Sequence, residues 1–167
     1  MIIRVKKRKN KAGEELSYAY LVENKWTSKG PRQTVRGYLG KVCFFDKKEL
    51  MFNGNTKNIG YKELIKVLAK WELRKHGFDE KEEVFASNGI FFENNEIYKK
   101  QANKKIRCVL AFNEGFLCDF TIKRLLDFNE KGSEKEVGLK LAKCFVEAGI
   151  DVPKDVFVEC FEKVYEK

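Results

Sequence analysis

The sequence has few of the features that mark membrane or exported proteins. No run of apolar residues approaches the roughly 18 needed to cross a bilayer. The first residues are rich in Lys and Arg, and no apolar signal core follows them. We therefore expect a soluble, cytoplasmic protein without a membrane partner.

Ligands for a metal ion are also scarce. His76 is the only histidine, and the five cysteines are widely spaced without a Cys-x-x-Cys pair. Structural zinc sites need such close pairs, so we expect neither a metal nor another cofactor. His76 falls in the last turn of a predicted helix, which favours a structural role. The surroundings of the cysteines predict reduced thiols in the core: Cys43, Cys108, Cys118, Cys144 and Cys160.

Catalytic motifs are missing as well. The sequence has no Gly-x-x-x-x-Gly-Lys-Ser/Thr, Gly-x-Gly-x-x-Gly or Gly-x-Ser-x-Gly pattern, so it predicts no P-loop, dinucleotide site or hydrolase elbow. We predict no catalytic residue. A metal-dependent nuclease that uses Asp46, Glu63 or Asp119 stays open as an alternative, because such carboxylates converge only in the fold.

What the sequence does have is an uneven charge. The 167 residues carry a formal net charge of +9, and the first 42 residues hold eleven Lys or Arg against three Glu. Residues 110–167 hold nine basic against twelve acidic side chains. A concentrated positive field attracts polyanions, so this asymmetry predicts a nucleic-acid partner.

The basic segment has the pattern of β-strands. Alternating residues and turn signals predict strands near 1–9, 16–23 and 34–45, forming a three-stranded antiparallel ribbon as a module over residues 1–45. Simple alternation puts Arg32, Arg36 and Tyr38 on one face. Arg forks pair with phosphate, and exposed aromatic rings stack on unpaired bases. The alternative is that the aromatic residues belong to the core and the basic residues form a solvated face.

A second basic run covers residues 99–107, with five Lys or Arg and no acid. It is either a solvated loop or an extension of the basic surface of the ribbon. The residues predicted to bind nucleic acid are basic or aromatic: Lys9, Lys25, Trp26, Lys29, Arg32, Arg36, Tyr38, Lys41, Lys104, Lys105 and Arg107.

Two motifs in the ribbon have a familiar spacing: Tyr18-x-Tyr20-Leu21-Val22-Glu23, then Gly30-x-Arg32-Gln33-x-Val35-x-x-Tyr38-Leu39-Gly40-Lys41. This segment resembles the N-terminal segment of DDE-class insertion-sequence transposases. In those enzymes it precedes a large catalytic domain with three metal-binding carboxylates, for which this sequence has no counterpart. The resemblance therefore implies a shared nucleic-acid-binding ribbon. The Lys-rich chain as a whole is also similar to small uncharacterised archaeal proteins.

The remaining residues, 46–167, predict a mixed α/β body. Apolar spacing indicates a helix over 61–73, strands within 84–92, 96–98 and 108–112, and helices over 119–128, 133–149 and 153–166. The expected fold is α+β, with the ribbon joined to further strands and a C-terminal helical layer.

Together these patterns predict a non-catalytic nucleic-acid-binding protein, with RNA slightly favoured over DNA. The competing hypothesis is a protein-interaction subunit of a larger ribonucleoprotein or transcription assembly, which docks through exposed Phe. The nuclease described above is the second alternative.

Overall fold

The computed structural model describes residues 1–54, 56, 58–102 and 104–165, and this part of the chain folds into one mixed sheet with four helices. The strands are β1 (Ile2–Lys9), β2 (Glu15–Thr27), β3 (Gly30–Phe44), β4 (Asp79–Lys81), β5 (Val84–Ser87), β6 (Ile90–Glu93), β7 (Glu96–Gln101), β8 (Lys104–Phe112) and β9 (Gly115–Leu117). The helices are α1 (Tyr61–Lys75), α2 (Asp119–Leu126), α3 (Glu134–Ala148) and α4 (Lys154–Tyr165). The predicted α+β class is confirmed.

The sheet joins the ribbon to the body. Its strand order is β1-β2-β3-β8-β7-β6-β5-β4, and β9 pairs with β8 outside this path. All neighbours are antiparallel except β3 and β8, where Lys41–Phe44 lies parallel to Cys108–Ala111. Gly40 allows this approach, because a Cβ there would lie 2.6 Å from the carbonyl oxygen of Arg107. The ribbon therefore continues directly into the central strand β8.

Local sequence explains the turns of the body. Asn88 and Gly89 both have positive φ and join β5 to β6, which is the geometry of a tight hairpin turn. The sequence pattern predicts one strand within 84–92, and the Asn88-Gly89 pair forms the turn that divides this stretch into β5 and β6. The basic run is also a hairpin, since Tyr98–Gln101 pairs with Lys104–Arg107. Its interpretation as a loop was wrong.

The C-terminal helices begin and end near their predicted bounds. At the start of α3 the backbone N–H of Ser133 donates to Glu136 Oε2 at 2.9 Å, and the Ser133 hydroxyl accepts from the backbone N–H of Glu136. Gly149 ends α3 with a φ of 70°, where a Cβ would lie 2.4 Å from the carbonyl oxygen of Phe112. The last predicted helical residue, 166, lies outside the described residues. No helix in the described ranges is long and apolar enough to cross a membrane.

Two cores leave part of the ribbon uncovered. The main core packs all four helices against the sheet and includes Leu68, Leu110 and Leu141. A smaller core covers one face at the base of the ribbon, where Ala19 and Val42 pack with side chains from β8, β9 and α2. The opposite face of the ribbon, where Tyr38 is exposed, carries the candidate site.

Candidate nucleic-acid interface

Three tyrosines form a cluster on the uncovered face of the ribbon. Tyr20 lies opposite Tyr38 across β2 and β3, and their ring centroids are 5.4 Å apart. The ring of Tyr18 lies 6.3 Å from that of Tyr38. Basic side chains lie at neighbouring register positions, and Lys6 Nζ is 5.5 Å from the Tyr20 ring. We call this surface the tyrosine face and define it by Arg4, Lys6, Tyr18, Tyr20, Tyr38 and Lys41.

Two bulges in β3 determine which residues share this face. The pairing of β2 with β3 skips one β3 residue between Val35 and Gly37 and another between Tyr38 and Gly40. Each extra residue reverses the alternation of the strand. As a result, Tyr38 lies on the face of Tyr20, and Arg32 lies on the opposite face with Lys25. The prediction that Arg32 and Tyr38 share a face was wrong for this reason.

The acidic residues of the ribbon strands lie on the other face. Glu15 pairs with Lys7 at 2.8 Å. Glu23 accepts from Arg36 Nε at 2.7 Å and lies 3.7 Å from Lys25 Nζ. The hydrogen bond from Arg36 holds the pKa of Glu23 below its usual range. Strands β1 to β3 contain no other Asp or Glu, so the tyrosine face has no carboxylate at its register positions.

The basic groups of the tyrosine face differ from those of the opposite face in their acidic neighbours. In the described part of the chain, Arg4, Lys6 and Lys41 have no acidic group within 4 Å, and all three are exposed. Tyr38 is 46% exposed, and burial by its neighbours raises the pKa of its hydroxyl. The face therefore presents neutral aromatic rings beside cations whose charge is not compensated by a neighbouring carboxylate.

The structure divides the predicted site residues between two faces. Trp26, Tyr38, Lys41 and Lys104 have register positions on the side of the tyrosine face, while Lys29 lies in the turn between β2 and β3. The other six lie on the opposite face: Lys9, Lys25, Arg32, Arg36, Lys105 and Arg107. Several of them already have partners. Arg36 is held by Glu23, and Lys105 Nζ lies 3.4 Å from Glu93 and 4.1 Å from the Tyr98 ring.

Sequence reasoning missed four members of the tyrosine face, namely Arg4, Lys6, Tyr18 and Tyr20, as site residues. A partial signal was present in β1, where Arg4, Lys6 and Arg8 recur at every second position, although Lys7 and Lys9 on the other side are basic too. That period of two places the first three on one side of a strand. Their pairing with the tyrosines became visible only with the register of β1 on β2.

Two thiols border the tyrosine face where β3 meets β8. Lys41 is the register partner of Cys108, and Cys43 follows two residues later on the same side. The adjacent Cys108 thiol lowers the pKa of Cys43 to about 7, and the charges of Lys41 and Lys99 act in the same direction. All five thiols are free, as predicted. Cys43 is half-buried, whereas the other four are buried in the core.

A second polar cluster lies at the C-terminal end of α1. Glu72 is fully buried and accepts from Lys75 Nζ at 3.1 Å, from Asn113 Nδ2 at 2.9 Å and from the backbone N–H of Asp151 at 3.1 Å. His76 Nε2 lies 3.2 Å from Glu72 Oε1, which agrees with the structural role predicted for this histidine. These contacts fasten α1 to the β8–β9 turn and to the segment between α3 and α4. Because Glu72, Lys75 and His76 are all buried, we assign the cluster a structural role.

The carboxylates of the nuclease alternative do not form a metal site. Asp119 Oδ1 accepts from the backbone N–H of Ile97 at 3.2 Å, and burial raises the pKa of this carboxyl group. Glu63 pairs with Lys66 at 3.1 Å. Among the described residues, no three His, Cys, Asp or Glu side chains are arranged to hold a metal ion.

Comparisons with known proteins give no additional support for a function. No family model, no curated protein and no solved structure matches the chain. The resemblance of the ribbon to transposase segments therefore stays a prediction, and the functional argument depends on the geometry of the tyrosine face.

Proposed function

We propose that the protein binds nucleic acid, without catalysis, through the tyrosine face of its ribbon. The observation that carries this proposal is that both faces carry cations, whereas the carboxylates of the ribbon strands lie only on the face opposite the tyrosines. Cations and aromatic rings occupy one face, while Glu15 and Glu23 lie on the other, where they pair with Lys7 and Arg36. An interface for a polyanion needs exposed cations that are not already neutralised by neighbouring carboxylates.

The two kinds of side chain have different tasks in this proposal. Arg4, Lys6 and Lys41 contact phosphates and hold the strand in place, because phosphate contacts position a nucleic acid without selecting its sequence. The rings of Tyr20 and Tyr38 contact bases by stacking. Accessible base faces are typical of the loops and single-stranded segments of RNA, which is why RNA is slightly favoured over DNA.

The basic residues outside the tyrosine face support the same function at longer range. Lys9 and Arg32 are exposed on the opposite face and add to the positive field around the ribbon. Such a field raises the rate of encounter with a polyanion and weakens as salt increases. We therefore expect these residues to affect association more than the bound complex.

The proposal is tested by fluorescence anisotropy of a labelled single-stranded RNA titrated with protein at several salt concentrations. Three phosphate contacts at about −0.7 each predict a slope of about −2 in a plot of log affinity against log salt. Labelled single-stranded DNA in the same assay tests the preference for RNA. Absence of binding at low salt would refute the proposed function.

A protein-interaction role is the second candidate, and one observation favours it. Phe44 is 70% exposed at the end of β3, where an apolar partner could cover it. Apolar docking is not weakened by salt in the way that phosphate contacts are. Binding of a protein partner that persists at high salt and is lost in Phe44→Ser would support this candidate.

A further inference from the structure

The side of the ribbon that carries the tyrosine face continues well beyond the tyrosines. Successive pairs of residues on β2 and β3 extend it to the end of the hairpin: Val22 with Val35, Asn24 with Gln33, and Trp26 with Pro31. Val22 is buried, so the first pair exposes only the Val35 side chain, whereas both members of the other two pairs are exposed. Trp26 is 85% exposed at the far end. The Asn24 and Gln33 amides join across the strands at 3.1 Å. We call these three pairs the distal track.

The distal track differs in composition from the tyrosine face. It has aromatic, apolar and amide side chains and no Lys or Arg, while the adjacent cations of the hairpin, such as Lys25 and Arg32, lie on its other side. A duplex would meet few phosphate partners along the track, since its phosphates need cationic contacts. An unpaired strand can use the track, because every base has a face that stacks on an aromatic ring.

The length of the surface suits several nucleotides. Trp26 follows Tyr18 by eight positions on β2, which corresponds to roughly 27 Å of strand. Single-strand binding surfaces in compact domains hold about 4 or more nucleotides. The two aromatic ends are therefore far enough apart to contact different nucleotides of one strand.

We propose that the ligand of this protein is a single-stranded nucleic acid laid lengthwise along the ribbon, from the tyrosine face to Trp26. This inference rests on the proposed function and adds the strandedness and the path of the ligand. Phosphates are held at the tyrosine face by Lys6 and Lys41, and Trp26 stacks on a base at the other end. Binding strength then depends on whether a strand is long enough to contact both ends.

The experiment compares oligouridines of about 4 and about 12 nucleotides in wild-type protein and in Trp26→Ala. In the wild type the longer strand binds more tightly. We expect Trp26→Ala to reduce the ratio of long-strand to short-strand affinity about tenfold, since base stacking on one ring is worth about that factor. Trp26→Phe retains most of the ratio. Leu139→Ala, which removes an exposed apolar side chain from α3, leaves it unchanged.

The outcomes separate this inference from the proposed function. An unchanged affinity ratio in Trp26→Ala would overturn the path along the hairpin. Equal affinity for the 12-nucleotide strand and for a duplex of the same length would overturn the single-strand assignment, and in both cases nucleic-acid binding itself would stand. Absence of binding by every oligonucleotide in the wild type would overturn both the inference and the function on which it rests.

Discussion

Reversing the charge of the two lysines beside the tyrosines, in Lys6→Glu with Lys41→Glu, is expected to weaken RNA binding about 100-fold at low salt. Each substitution replaces a phosphate contact with a repulsion, and each lost contact makes the salt slope for single-stranded RNA shallower by about 0.7. Both side chains are exposed on the strand surface, so the fold tolerates the change. Anisotropy titrations at several salt concentrations measure the affinity and the slope together.

The matched control for this variant is Lys9→Glu with Arg32→Glu. It changes the net charge by the same amount, and both residues are exposed on the face opposite the tyrosines. We expect a loss of less than about tenfold, caused by the weaker long-range field. Equal losses in the two double variants would show that binding depends on the total charge of the ribbon and not on the tyrosine face.

The largest expected effect on stability comes from Glu72→Leu. The substitution removes the acceptor for Lys75, for the Asn113 amide and for the backbone N–H of Asp151. Breaking a buried ion pair by removing one partner costs about 3–5 kcal/mol. Lys75 stays buried and keeps only the exposed Asp151 carboxylate, at 3.3 Å, as an acidic partner, so we expect a cost at the lower end of this range. Urea denaturation of the wild type and the variant measures this difference in the free energy of unfolding.

The free energy of unfolding is also expected to depend on pH, because the Glu72 carboxyl group has a shifted pKa in the folded state. Burial alone would raise the pKa of this carboxyl group, but the contacts with His76, Asn113 and Lys75 outweigh burial and lower it. A carboxyl group whose pKa is lower in the folded than in the unfolded state stabilises the fold at pH values above its unfolded pKa. This stabilisation is lost as the pH falls through the folded value. We expect the acid-induced loss to be smaller in Glu72→Leu.

The control for Glu72→Leu is Glu63→Leu, an exposed partner of Lys66 on the same helix. Pairs of this kind contribute about 0–1 kcal/mol, so its unfolding curve is expected to lie close to that of the wild type. A cost of less than about 1 kcal/mol for Glu72→Leu would contradict the structural role of the buried cluster.

The elements with strong local signals were predictable from the sequence. The predicted helix over 133–149 matches α3, whose capping box at Ser133 and left-handed Gly149 are local sequence signals, and apolar spacing located α1 and α4. In each case the deciding interactions lie within a few residues of one another. Alternation predicted the three strands of the ribbon on the same principle.

The features that depend on pairing between distant residues were not predictable. The bulges of β3 appear only in its register with β2, and the bulge between Val35 and Gly37 places Tyr38 on the face opposite Arg32. The parallel pairing of Lys41 with Cys108 joins residues that are far apart in the chain. Glu72 and His76 have the i,i+4 spacing of helix neighbours, so that contact was available from the sequence, whereas the contact with Asn113 was not.

The most direct test of a nucleic-acid site on the tyrosine face is ultraviolet crosslinking of the wild-type protein to a single-stranded oligouridine, followed by mass spectrometry of the peptides. The account predicts adducts on Tyr18, Tyr20 or Tyr38, and on Trp26 with strands long enough to contact the end of the hairpin. These adducts should decrease as salt increases. Adducts confined to the opposite face of the ribbon or to the C-terminal helices would contradict the account.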